Sequence, residues 1–243
     1  MFMNIYKRVF AVLMKKPLKL WGISLLAVLL SGVLAGLCGV AIPVLGIGVA
    51  LLISTSMMMI YLKGYRGEEV ETKDLFTCFK DWQTIKRVLL GLGWMSLWIF
   101  LWSLIPVVGP VFAMIRAYEY RLTPYILVYQ PEISITDAIK VSKQKTEGFK
   151  LQMFLGDIVY VLIIVAAIIV LGILCLIPIL GVLFGLALAV LYIAVIALAP
   201  LFAGLVQAAF YEEITNVAGF CGSCGQRLVP GAEFCSACGK PTK

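Results

Sequence analysis

Six apolar runs dominate this sequence, and each is long enough, or nearly so, to cross a lipid bilayer as a helix. A membrane-spanning helix needs about 20 predominantly apolar residues. Charged residues make up 14% of the chain, whereas a soluble domain carries about 25%. The sequence therefore predicts an all-α membrane protein with six transmembrane helices. The predicted spans are residues 18–40, 44–62, 88–105, 107–129, 151–177 and 179–210.

A short uncharged turn recurs between these runs. It reads AIPVLGI at 41–47, LIPVVGP at 104–110 and LIPILGV at 176–182. Proline lacks a backbone donor and stops a helix, and the following glycine permits the backbone conformation that starts the next helix. We therefore predict a threefold repeat of helical hairpins, with tips near residues 43, 106 and 178.

The basic residues predict how these hairpins are oriented. The chain has 20 Lys and Arg residues, and none of them lies in a tip. Lys19 lies at the very start of the first predicted span, and only Arg116 and Arg121 fall deeper inside one; the others precede the first span, separate the hairpins or lie in the tail. The positive-inside rule then places both termini in the cytoplasm. The net charge of +7 predicts a basic face against the anionic inner leaflet of the bilayer.

The sequence divides into three parts. Residues 1–16 are predicted to form an amphipathic N-terminal helix, residues 17–213 the six-span membrane domain, and residues 219–243 a cytoplasmic tail. Further amphipathic stretches precede the second and third hairpins. Two interpretations of these stretches stay open: they lie in the inner membrane interface, or they pack on the cytoplasmic end of the helical bundle.

The third amphipathic stretch carries a helix-start signal. Ser134 and Asp137 have the spacing of a capping arrangement, which predicts a helix beginning near Ser134. We predict an apolar face on one side of this helix and a basic face on the other. The apolar face consists of Ile135, Ala138, Ile139 and Ser142, and the basic face of Lys140, Lys143 and Lys145.

The tail contains two matched cysteine pairs, Cys221 and Cys224, then Cys235 and Cys238, each in the frame Phe-Cys-x-x-Cys-Gly. Four thiolates at this spacing form a closed tetrahedral Zn²⁺ site with no open position for a substrate. Two disulfides are the first alternative, but a cytoplasmic tail keeps its thiols reduced. An iron–sulfur or redox site is the weaker alternative. The tail is too short for a core, so zinc should supply its folding energy.

The tail resembles the small zinc-ribbon modules at the ends of many prokaryotic proteins. Residues 65–213 resemble a bacterial family of integral membrane proteins of unknown function, common in Gram-positive bacteria. The resemblance is carried by TKDLFTCFKDW at 72–82, LIPVVGP, the stretch 117–148 and FYEE at 210–213. The chain departs from that family at LGDIVY, residues 155–160, and at Leu201. The matching positions are Tyr118, Tyr120, Pro124, Tyr125, Pro131, Ala138, Ser142 and Gly148. The resemblance implies an architecture and no activity.

Ionisable residues inside the second and third hairpins form the other candidate site: Arg116, Glu119, Arg121 and Asp157. Such residues are costly within a membrane and indicate a functional site by default. One interpretation is a structural lock, with ion pairs Arg116–Glu119 and Arg121–Asp157. A second is a polar cavity for transport, and a third is that Arg121 extends its charge to the membrane surface.

These features favour a membrane-embedded scaffold or adaptor whose zinc ribbon docks a cytoplasmic protein or a second copy of the chain. The alternative is a transporter or channel-like protein for a small or lipidic solute. A solvated cavity that reaches Arg116 and Glu119 would favour transport, and a solid bundle would favour the scaffold. The chain has no histidine, no paired carboxylates in an apolar pocket and no phosphate-binding loop, so we do not expect an enzyme. Nucleic acid is disfavoured because the tail carries few positive charges to neutralise phosphates.

Overall fold

The structure is a computed structural model that describes residues 2–15, 17–41, 43–175, 181–217, 221, 233–235 and 238–241. The described residues are almost entirely helical, with one isolated β-bridge between Phe234 and Pro241. A 3-10 helix, Thr72–Phe79, lies between α3 and α4. The α-helices are α1 Phe2–Lys15, α2 Pro17–Ala41, α3 Pro43–Arg66, α4 Trp82–Ser103, α5 Gly109–Glu119, α6 Thr123–Tyr129, α7 Ile135–Thr146, α8 Lys150–Leu174 and α9 Gly181–Val217.

Three described helical segments are long and apolar enough to cross a membrane: Leu45–Arg66, Trp82–Ser103 and Lys150–Leu174. Two bent pairs raise the number of candidate spans to as many as five. One pair joins Ile5–Lys15 to Lys19–Val33 at 95°, and the other joins Val182–Val195 to Leu198–Thr215 at 41°. Pro200 lies within α9 near the second bend, where a proline ring clashes with the carbonyl of the preceding turn.

Helices that flank a predicted tip pack against each other. Contacts join α2 to α3, α4 to α5 and α8 to α9. At the first tip a single residue separates Ala41, the last residue of α2, from Pro43, the first residue of α3. Proline is favoured in the first turn of a helix because the amide it lacks has no partner there. The third tip, at residues 176–180, lies outside the described residues.

At the second tip, the role of Gly109 differs from the predicted one, which was to supply an unusual backbone conformation. The residue with a positive φ is Val107, at 66°, and its side chain is 91% exposed. Gly109 is required for space instead, because a Cβ atom there would lie 2.5 Å from the carbonyl oxygen of Trp102. The glycine thus permits a close approach between the end of α4 and the start of α5.

The buried core lies at the ends of the helices remote from the tips. The core contains residues from the first part of α2, the last part of α3, the break between α5 and α6, and the last part of α9. Gly204 of α9 packs so closely on Tyr61 of α3 that a Cβ atom would lie 2.1 Å from the ring. The halves nearer the tips expose large apolar side chains, such as Phe100, Ile169 and Leu186. Exposed apolar helix surface of this kind suits contact with lipid tails.

Helix α1 has one face packed on the bundle and another apolar face that is exposed, so it has features of both interpretations of the amphipathic stretches. Its residues Ile5 and Val9 are fully buried against the bundle, whereas Phe10 and Met14 are exposed. Arg8 donates a hydrogen bond to Glu213 of α9 at 2.6 Å. The helix therefore packs on the end of the bundle with one face and leaves a second apolar face free.

The predicted span 107–129 is two helices rather than one. Helix α5 ends at Glu119 and α6 begins at Thr123. Pro124 explains the break, because its ring excludes the Tyr120 carbonyl from the usual helical position and it has no amide to donate. The Thr123 amide donates to the Tyr120 carbonyl instead, at 3.0 Å.

Candidate metal centre and charge cluster

Three of the four predicted zinc ligands lie together in the described part of the tail. The sulfur atoms of Cys221, Cys235 and Cys238 are all within 4.8 Å of one another. The sulfurs of Cys221 and Cys238 are 3.5 Å apart. Cys224, the fourth predicted ligand, lies outside the described residues.

A tight turn positions the second cysteine pair. The Gly239 amide donates to the Cys235 carbonyl at 2.8 Å, and the Cys235 amide donates to the Lys240 carbonyl at 2.9 Å. Gly239 adopts a φ of +70°, a conformation that side chains disfavour. Gly239, which follows the second Cys-x-x-Cys pair, is therefore required by the fold of this turn.

The thiol cluster fits a zinc ion. A Zn–S bond of about 2.3 Å in tetrahedral geometry places neighbouring sulfurs about 3.8 Å apart, close to the separation of Cys221 and Cys238. Thiolates are soft ligands that suit zinc. A site completed by a fourth thiolate would be closed to substrates, so the metal would stabilise the tail rather than catalyse a reaction.

Comparison with protein families agrees with this chemistry. Residues 220–242 match the model of a zinc-ribbon domain. This match covers the tail alone. No curated protein and no solved structure matches the chain.

The four candidate ionisable residues of the predicted membrane domain form two ion-paired groups. In the first, the Arg116 guanidinium donates to Glu119 at 2.5 Å, and the Lys150 ammonium donates to the other oxygen of Glu119 at 2.6 Å. Glu119 is only 5% exposed. Its carboxylate therefore lies between two cations, one on its own helix and one at the start of α8. The Arg116 guanidinium also lies over the Trp102 ring, 5.4 Å from the centroid.

In the second group, Arg121 binds Asp157 through two hydrogen bonds, of 2.6 Å and 3.2 Å. The Tyr118 hydroxyl donates to the same carboxylate at 2.9 Å. Bidentate arginine–carboxylate pairs fix geometry as well as charge. This pair connects the break after α5 to helix α8.

Side chains from neighbouring helices satisfy the backbone at the break. The Ser142 hydroxyl donates to the Glu119 carbonyl at 2.8 Å and accepts from the Leu122 amide at 3.2 Å. The Gln207 amide donates to the Arg121 carbonyl at 3.2 Å. Protein side chains thus bond the backbone groups that the break leaves without a helical partner.

The start of α7 confirms the predicted cap, but its basic face requires a correction. The Asp137 amide donates to the Ser134 hydroxyl at 3.1 Å. Lys140 and Lys143 are exposed, whereas Lys145, predicted to share their face, is 1% exposed. Lys145 follows Ala138 by seven residues, and seven residues make almost two full helical turns. It therefore belongs to the face of α7 that packs on the bundle.

The ammonium of Lys145 is a buried charge near the end of α7. Burial lowers the pKa of Lys145, and the charge of the Cys221 sulfur opposes that change. Cys221 is itself 1% exposed.

Several of these residues were missed by sequence reasoning. Lys150 lies outside the predicted spans, although its spacing of seven residues from Asp157 puts both near one face of α8. Pro124 was a usable signal for the break, because it stands inside a predicted span. The roles of Ser142 and Gln207 had no local signal, since each depends on contacts with a distant segment.

A cavity of about 450 Å³ lies between α2, α3 and α9. Its walls carry three serines and Gln207, and it is also lined by Tyr61 and Gly204. Inside it, the hydroxyls of Ser24 and Tyr61 are hydrogen-bonded at 2.9 Å. Its lining includes none of the four predicted ionisable residues. The cavity therefore reaches the break only through Gln207.

An apolar groove of about 680 Å³ lies between α1 and the pair α8–α9. Phe10 and Met14 line it from α1, and Tyr160 and Phe202 line it from the other helices. The rings of Tyr160 and Phe202 stack at 4.9 Å. The exposed face of α1 thus continues into an apolar surface of the bundle.

Proposed function

We propose that this protein is a membrane-embedded scaffold or adaptor with a cytoplasmic zinc ribbon that docks a protein partner or a second copy of the chain. The observation that carries this proposal is the pairing of the intramembrane charges. Each of the four predicted ionisable residues engages another charged group. Charged side chains that are paired with one another stabilise a fixed arrangement of helices. A transport site, in contrast, needs charged groups that a solute can reach.

The topology we propose has six spans in three hairpins, with both termini and both long loops in the cytoplasm. The packing of α2 on α3, α4 on α5 and α8 on α9 supports it. In this arrangement α5 and α6 together form the fourth crossing. The position of the buried core remote from the tips then corresponds to the inner side of the membrane, where Arg66 and Glu212 form an ion pair at 2.8 Å.

The ribbon is suited to interaction rather than chemistry. A complete four-thiolate zinc site leaves the metal no open coordination position, so we propose that the protein is not an enzyme. The anionic inner leaflet is the proposed lipid partner of the basic cytoplasmic face. Nucleic acid is not favoured as a partner, because Arg227, Lys240 and Lys243 are the only basic residues of the tail.

A transporter or channel-like function is the second candidate. The cavity lined by Ser24, Ser31, Ser54 and Gln207 favours it, since hydroxyl and amide groups in an apolar wall suit an uncharged amphipathic solute. In that function the break between α5 and α6 would respond to the solute through Gln207.

A complementation experiment separates the two candidates. Strains lacking the protein would be given the wild-type chain, the Cys221→Ser/Cys224→Ser chain, or the Ser24→Ala/Gln207→Leu chain, at matched abundance in the membrane. The scaffold proposal expects loss of the cellular role with the cysteine variant alone. Loss with the cavity variant, and retention with the cysteine variant, would instead establish the transport alternative.

A further inference from the structure

The apolar groove between α1 and the pair α8–α9 has the dimensions of a lipid site. Its volume of about 680 Å³ falls within the range of about 300–1,000 Å³ that is typical of ligand sites. Its lining residues on α9 extend from Leu191 to Phe202, on both sides of the 41° bend in that helix. The helical rise makes this stretch roughly 16 Å long, and the hydrocarbon of one leaflet is about 15 Å thick. The groove therefore has the length of one lipid acyl chain.

Helix α1 forms a fixed wall of this groove. Its residue Ile5 is fully buried, and the centroid of the Tyr6 ring lies 5.9 Å from that of the Phe202 ring. These contacts use one face of the helix. Phe10 and Met14, which line the groove, are 61% and 76% exposed, so they are available to a ligand.

Three exposed lysines stand next to residues that line the groove. Lys7 precedes Met14 by seven residues, almost two full turns, and so lies on the same side of α1. Lys15 follows Met14 directly, and Lys19 lies two residues before Trp21, which also lines the groove. Among the described residues these lysines form no ion pair. The groove is therefore apolar inside and positively charged at its α1 end.

We propose that this groove binds one anionic phospholipid of the inner leaflet, with an acyl chain along α9 and the phosphate near Lys7, Lys15 and Lys19. This inference rests on the cytoplasmic position of α1 in the proposed function, because only there can these lysines meet an inner-leaflet headgroup. The lysines provide the preference for an anionic lipid, since a basic residue near an anionic membrane surface strengthens binding about fivefold. The groove itself does not discriminate between headgroups, because lipid tails are all as apolar as its lining.

Native mass spectrometry of the full-length protein tests the proposal. The protein would be released from nanodiscs that contain equal amounts of phosphatidylglycerol and phosphatidylcholine, and the retained lipids would be counted. We expect wild type to retain one phosphatidylglycerol per chain. Lys7→Ala/Lys15→Ala should lower the preference for phosphatidylglycerol by about fivefold or more. Lys80→Ala/Lys143→Ala removes the same charge from exposed positions elsewhere and should match wild type. Equal preference in all three proteins would overturn the proposal.

A second pair of variants tests the groove itself. Ala194→Phe places a ring among the residues that line the groove, and it should lose the retained phosphatidylglycerol. Ala166→Phe adds the same ring to an exposed position of α8 outside the groove, and it should keep the lipid. Retention of phosphatidylglycerol by both variants would overturn the site.

Cysteine labelling separates a failure of this inference from a failure of the proposed topology. If Thr72→Cys reacts from the cytoplasmic side and wild type shows no headgroup preference, the retained lipid is ordinary boundary lipid and only the lipid site is overturned. If Thr72→Cys reacts from outside the cell, the proposed topology is overturned together with the inference.

Discussion

The ammonium of Lys150 lies 2.6 Å from the Glu119 carboxylate, although 31 residues separate the two in sequence. The same carboxylate binds Arg116. One buried anion therefore connects the end of α5 to the start of α8. The three charges therefore differ in what their removal would do. Loss of Glu119 leaves two cations without this partner, whereas loss of either cation leaves one ion pair intact.

The first prediction follows from that inequality. Glu119→Leu should lower the melting temperature in detergent more than Arg116→Leu, because breaking a buried pair from the side of the shared partner typically costs about 3–5 kcal/mol. The Arg116→Leu/Glu119→Leu double variant should recover part of the loss, because only Lys150 is then left without its partner. Thermal unfolding of the three proteins provides the measurement. Single variants that stay stable, with no recovery in the double variant, would contradict the structural lock.

The second prediction concerns the support of the break by α7. Ser142→Ala should lower the free energy of unfolding by about 1–3 kcal/mol, because it leaves the buried Leu122 amide unsatisfied. Ser103→Ala is the matched control, since the Ser103 hydroxyl bonds only the Phe100 carbonyl in its own helix. Denaturant titration in mild detergent would measure both. Equal stability of the two variants would show that Ser142 does not hold the break.

The third prediction concerns topology. Single cysteines introduced at Val44, Val107 and Ile179 should react with a membrane-impermeant thiol reagent from outside the cell. Cysteines at Thr72 and Gln144 should react only after the cytoplasmic side is opened. Basic residues flank the second set, and none is present in the tips. Labelling of Val107→Cys from the cytoplasmic side would exclude the three-hairpin arrangement.

The fourth prediction concerns the metal. Purified protein should contain about one zinc ion per chain, because four thiolates form one tetrahedral site. Cys224→Ser should lose the zinc and unfold the tail, while the melting temperature of the helical domain should fall little. Elemental analysis and thermal unfolding would be measured together. Full zinc content in the variant would remove Cys224 from the ligand set.

The fifth prediction concerns pH. Burial raises the pKa of Asp74, but the hydrogen bonds from Lys63 and from the Glu71 amide outweigh it, so the net pKa is below its ordinary value. A carboxyl group with a lowered pKa stabilises the fold above its unfolded pKa of about 4, and this contribution is lost as pH falls further. Asp74→Asn should therefore lower the melting temperature at pH 7 and flatten its decline in acid. An unchanged acid profile would contradict this assignment.

Signals between residues close in sequence predicted the structure better than signals that depend on distant contacts. The cap of α7 at Ser134 needs only a hydroxyl three residues before an amide, and the structure has that bond. The ion pair between Arg121 and Asp157, which belonged to one of the three interpretations of the sequence, is present in the structure. The prediction that Lys145 lies on the basic face of α7 was wrong. The helical period alone would have assigned Lys145 to the face that contains Ala138.

The sequence by itself predicted helices that are long and apolar enough to cross a membrane and a zinc-ribbon tail. Long uncharged runs predict membrane helices because backbone groups in lipid must bond within their own segment, and paired cysteines predict a zinc site because both ligands of a pair come from one turn. Only the tertiary structure decided that Lys150 shares Glu119, that Ser142 and Gln207 bond the backbone of the broken helix, and that Lys145 is buried. Those relationships join residues far apart in sequence, and only the packing of the helices brings them together.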